Sequence, residues 1–174
     1  MKLPAEQEDM IFERLAEPEN PRGFFIELVD LLEEAVDQLM RRAFRQEEYA
    51  VKYAIEPLLN SKGPLASLQI RLKLIFALGL ISYEVSQDIE RFIRLRDFLV
   101  NDVHDHRFGE PCVTEPINRL HSLQSISMMQ IDEPLSNDYM IQQMQLNRRD
   151  QVIRSALLLA VSNVLTELNK DSPI

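Results

Sequence analysis

Three histidines and one cysteine hold most of the reactive potential of this chain, and they fall near one another. His104, His106 and Cys112 share one stretch, Asp102 and Asp105 lie among them, and His121 follows a little further on. Together they are the one concentration of metal-ligand residue types. Structural zinc comes with Cys and His pairs at recurring spacings, which a single Cys and a lone His-x-His do not supply. A thiol beside an imidazole could also serve as an activated nucleophile, but no strand-loop-helix scaffold or signature surrounds Cys112. The four glycines are too dispersed to build a phosphate-cradling loop. The preferred reading of 102–111 is a solvated polar connection with Cys112 as a partly buried free thiol. Accordingly no catalytic, cofactor-binding or metal residue is assigned. Residue types leave open whether the loop of His104, His106 and Cys112 ever holds a metal.

The elements that would position these residues are helices. Phe24, Leu28, Leu31, Ala35, Leu39 and Ala43 recur at steps of three and four, and acids early with arginines late match the helix dipole, so a helix is expected over 23–45. A second spans Glu47 to Leu58, with Lys52 and Glu56 spaced for an ion pair, and ends in a loop at Asn60 to Gly63. Pro64 suits the first turn of a third, apolar on most sides and so expected in the middle of a bundle. Gly79 either lets helices cross closely or ends that helix, and Ser82 caps the next, which runs to Asn101. Thr114-Glu115-Pro116 reads as a cap before a short helix holding Ile117, Leu120 and Leu123. After a break over 125–136, Asn137 or Asp138 caps a last element reaching about Asn169, as one helix or as two broken near Asn147. No strict alternation, hairpin turn or fixed-period repeat is present. The expectation is one all-α domain over 1–174, a bundle of about six to eight helices. Its core is 23–169, between an acidic N-terminal segment, 1–22, and a short tail, 170–174.

Charge then limits what such a bundle does. Of 174 residues, 28 are Asp or Glu against 19 Lys or Arg, a net charge of −9. Binding nucleic acid through bulk charge needs cations to displace phosphate counterions, so it is disfavoured. The segment from Ile75 to Ile89 has the outline of a helix-turn-helix. Its second helix, however, would lead with Glu84, Asp88 and Glu90, which oppose a polyanion. The longest purely apolar run, Ala156 to Val161, falls far short of the roughly 20 residues of a membrane span. With no basic and apolar leader at the N-terminus, the expected location is the cytoplasm. Arginine groups at 41, 42 and 45, at 91, 94 and 96, and at 148, 149 and 154 are read as faces paired with neighbouring acids. Docking on an acidic or phosphorylated partner is the rival reading. Arg71, in the most apolar helix, needs a carboxylate if buried, and Glu56 or Asp97 is the expected partner. Met128, Met129, Met140 and Met144 fill core by default or offer an adaptable surface to a protein. The apolar final helix is a route to a homodimer.

The stretch from Glu48 to Leu59, then Gly63-Pro64-Leu65, Arg71 to Ile75 and Leu78 to Ile81, resembles the mannitol operon repressor family. The similarity extends more loosely through Phe24 to Arg45 and Leu95-Arg96-Asp97. It implies a bacterial, all-helical transcriptional repressor of genes for mannitol uptake and use, without an evident DNA-binding motif. Such a protein is not an enzyme, needs no cofactor and represses through another protein. The partner it suggests is a second transcription factor or the histidine-containing phosphocarrier of the sugar phosphotransferase system. One alternative is a paralogous helical regulator of another target. Another is a HEPN-type RNase or RNA-binding protein, weakened because Asn101 stands where that family places a histidine after Arg96.

Overall fold

Asn20 and Pro21 start the helix around which the rest of the chain is arranged. The Asn20 side chain accepts from the Gly23 N–H at 2.8 Å, and Pro21 sits in the first turn, where a missing N–H is no loss. This helix, α2 (Pro21–Ala43), buries one whole side, from Phe24 and Leu28 to Leu39 and Met40. The computed structural model describes residues 5–44, 48–123 and 135–170. Within them the chain forms α1 (Ala5–Ala16), α2, α3 (48–59), α4 (Leu68–Ala77), α5 (Tyr83–Asn101), α6 (Pro111–Ile117), a 3₁₀ turn at His121–Leu123 and α7 (Tyr139–Leu168). No strand occurs among the described residues, and the all-α bundle is the architecture expected. α5 packs along α2, and α1, α4 and α7 close over the same core. Phe25 and Phe92 meet there across α2 and α5, with ring centroids 6.4 Å apart.

Several local expectations change. α1 adds a helix inside the acidic segment, and its Leu15 is fully buried. α3 is not regular: Glu48–Ala50 passes into a π-helical stretch, Val51–Ile55, before Glu56–Leu59. The Glu56 N–H reaches back to the Val51 carbonyl, and Pro57, with no N–H to offer the preceding turn, follows at once. A wider turn there accommodates the proline ring. Lys52 makes no ion pair with Glu56 and lies 5.9 Å from the Tyr53 ring centroid instead. α4 starts at Leu68 with Ser67 as its cap, later than Pro64. It is a flank rather than a central helix: Leu72 and Ile75 are buried, but Ile70, Phe76 and Leu78 remain exposed. Gly79 ends it. With φ at +73°, it lets its own N–H reach the Phe76 carbonyl and the Leu80 N–H reach that of Ile75, the Schellman arrangement.

α6 begins at Pro111 with Glu110 as cap, so Thr114 caps nothing and Pro116 lies inside the helix. Pro111 fits the first turn better than Pro116. α7 is continuous from its cap at Asp138, which accepts from the Met140 and Ile141 N–H groups. By length and composition α7 could span a bilayer; its second half, from Ile153 to Leu168, is instead packed into the core. Its first half exposes Met140 and Met144, while Met128 and Met129 fall outside the described residues.

Three arginines cap helices other than their own. Arg22 of α2 donates to the Leu99, Asp102 and His104 carbonyls at the end of α5. Arg154 of α7 donates to Leu15 and Ala16 at the end of α1, and Arg42 of α2 donates to Leu168 at the end of α7. Helix C-termini leave carbonyls unpaired, and a guanidinium satisfies two or three at once. These contacts lock the helix ends to one another.

Candidate functional site

The connection from α5 to α6 is a built structure and not a loose polar loop. Arg22 holds its first carbonyls, and Phe108 is buried edge-on to Phe24 at 5.5 Å. Asp150 of α7 accepts from the Gly109 N–H at 2.8 Å and from Arg107 Nε at 2.9 Å. Two elements, α2 and α7, thus fix the stretch in which the sequence places its histidines.

That frame brings some of the candidate residues together and separates others. His106 lies between two carboxylates: Nδ1 is 2.7 Å from Glu110 Oε2 and Nε2 is 2.9 Å from Asp102 Oδ2. The other oxygen of each acid serves the backbone, Asp102 Oδ1 accepting from the His104 N–H and Glu110 Oε1 from the Arg107 N–H, both at 3.0 Å. Cys112 Sγ is 3.4 Å from His106 Nδ1, and the Phe98 ring stacks on the imidazole at 5.8 Å. His104 is exposed, Asp105 pairs with Arg22, and His121 lies toward the opposite, N-terminal end of α5, against Asp88. Glu110 joins the group although sequence reading passed over it. The available signal was its position four residues after His106 and directly before a helix-starting proline.

The electrostatics follow from these contacts. Glu110, then Asp102, raises the His106 pKa by accepting from its ring nitrogens. Asp102 is lowered, first by the His104 N–H and then by His106. Burial pushes Glu110 up, but His106 and the Arg107 N–H outweigh it and leave the carboxyl below its ordinary value. Burial, then the charge of Glu110, raises the Cys112 thiol, so the sulfur is not an activated nucleophile in this state.

Cys112 also lines a cleft of about 420 Å³ between α5 and α6, with Arg91, Arg94 and Arg119 around an apolar floor of Leu95 and Phe98. Arg94 pairs with Glu90, and Arg91 with Asp88. Asp88 is the second residue missed by sequence reading. It is 1% exposed, and its carboxylate takes the His121 and Ser122 N–H groups at 2.8 Å each. It therefore anchors the 3₁₀ turn to α5 and does not face solvent, as the helix-turn-helix outline supposed. With Ser86, Asp88 and Ile89 all buried, the leading turns of α5 have little surface to present to a DNA groove. The RNase arrangement is likewise absent: Arg96 pairs with Asp97, and the Asn101 amide donates to the Asp97 carbonyl.

The model of the mannitol repressor family matches residues 7–169. The mannitol operon repressor of Escherichia coli (strain K12) is 36% identical over 162 residues, 93% of this chain and 82% of that protein. The X-ray structure of the MtlR-HPr complex from Escherichia coli superposes with a TM-score of 0.87 at 35% identity, covering 92% of this chain and 97% of that one. A more distant relative, fumarase E of Escherichia coli (strain K12), is 26% identical over 164 residues, 92% of this chain and 96% of its own length.

Proposed function

Because the chain belongs to the mannitol repressor family, we propose that it lowers transcription of mannitol uptake and utilisation genes by binding HPr, the phosphotransferase phosphocarrier, in the cytoplasm. The observation that carries this reading is the superposition, nearly end to end on both chains, with a relative solved in complex with HPr. Charge supports the indirect route. A chain of net charge −9 whose best candidate reading helix begins with buried or acidic residues lacks the cations that phosphate contacts need.

The same reading makes the protein a regulator and not an enzyme. The repressor relative is the more similar, at 36% identity against 26% for fumarase E. Calorimetric titration of purified HPr into the purified chain tests the partner: a one-to-one complex is expected, and heats equal to dilution would overturn the HPr route. Incubation with fumarate tests the other class. Malate production that depends on this protein would overturn the non-enzyme assignment.

A further inference from the structure

We propose that His106, Glu110 and Cys112 form a zinc site, with Asp102 orienting the imidazole from its far nitrogen. The three ligand atoms already lie within 4.8 Å of one another. Zinc bonds of about 2.0 Å to nitrogen and oxygen and about 2.3 Å to sulfur put neighbouring atoms of a tetrahedron about 3.3–3.6 Å apart. Cys112 Sγ is 3.4 Å from His106 Nδ1 and 3.9 Å from Glu110 Oε2, near those values. The 2.7 Å contact between Nδ1 and Oε2 must open, as it does when an ion replaces the proton between them, and the 3.9 Å separation of Sγ and Oε2 must close by a few tenths of an ångström.

The surroundings are those of a metal site as well. A ligating histidine typically has its second nitrogen held by a carboxylate, and Asp102 Oδ2 stands 2.9 Å from Nε2. Asp102 and Glu110 are in turn fixed through their other oxygens by backbone N–H groups, so the oxygens facing the imidazole are positioned in advance. One thiolate, one imidazole and one carboxylate is a borderline-soft set, suited to zinc and poor for magnesium or calcium. Three protein ligands leave a fourth position to water. Cys112 lines an open cleft between α5 and α6, so its sulfur is reachable from solvent. Binding displaces the thiol proton and the proton shared by His106 and Glu110, both passing to buffer. This inference does not depend on the regulatory reading.

Cobalt(II) titrated into chelator-treated full-length protein is the probe, because thiolate coordination produces a near-ultraviolet sulfur-to-cobalt charge-transfer band. One equivalent of cobalt is expected to raise that band and zinc to displace it. Cys112→Ser should abolish the band, and Asp102→Ala should retain it while weakening zinc by about 10- to 100-fold. Glu110→Gln provides a second ligand deletion if Cys112→Ser disturbs the helical circular dichroism. Absence of the band in the parent protein, or zinc affinity unchanged in both ligand variants, would overturn the site.

Discussion

Arg71 is a charge with few routes to water. Its side chain is 6% exposed and pairs with Glu33, and with Asp37 at 3.4 Å, while Nη2 also donates to the Ala66 carbonyl at 3.1 Å. The apolar run around Arg71 makes its burial legible in the sequence. Its partners are not, because Glu33 and Asp37 lie on α2, and the expected Glu56 and Asp97 lie elsewhere. Arg71→Met should lower stability by about 1–3 kcal/mol in urea unfolding, less than for a fully buried pair because both carboxylates keep some contact with water. An unchanged midpoint would remove the pair from the account. Asp88 presents the opposite case, a helix acid that looks solvated in sequence and is enclosed in the fold. Asp88→Ala strands the two turn N–H groups and Arg91, so a loss of about 3 kcal/mol is expected by the same measurement. A change of a few tenths would mean that the 3₁₀ turn is held by other contacts.

At the level of elements, periodicity located the long helices and failed where a helix end depends on distant partners. α2 and α5 match their expected spans closely because cap, stripe and stop are all local, at Asn20 and Ser82 among others. α4 was expected at the centre because its apolar residues surround it; the chain places it on a flank and leaves Phe76 and Leu78 exposed. Hydrophobicity counts residues, not neighbours, so it could not distinguish the two. The frame around His106 was illegible for a related reason, since Arg22 and Asp150, which hold it, belong to α2 and α7. Two glycines offer a quantitative comparison. A Cβ at Gly79 meets nothing within 4 Å, so Gly79→Ala should cost only its left-handed backbone strain, about 1 kcal/mol. A Cβ at Gly63 would collide with the Pro57 and Leu58 carbonyl oxygens, so Gly63→Ala must move backbone and should lose more, about 2–3 kcal/mol. Urea midpoints in the reverse order would show that the turn after α3 yields easily.

For the whole molecule, the decisive quantity is how little positive charge remains for an outside partner once the fold has used its own. The chain has 19 cations against 28 acids, and Arg22, Arg42 and Arg154 are spent on helix-end carbonyls. Arg71, Arg91, Arg94 and Arg96 face carboxylates of the same chain. A protein holding DNA through six or more phosphates would need a contiguous cationic face, and its affinity would fall steeply with salt. The paired arginines of this fold do not supply that face. Purified protein mixed with a mannitol promoter fragment at physiological salt is therefore expected to show at most weak binding, in the range of about 10⁻⁴–10⁻⁶ M, with no preference over an unrelated fragment of equal length. Nanomolar binding selective for the promoter, by this chain alone and with the steep salt dependence of direct phosphate contact, would overturn repression through a protein intermediary. It would also require the arginines to exchange their intramolecular partners for phosphates, which substitution of Arg91, Arg94 and Arg96 together would detect as a reduced salt slope.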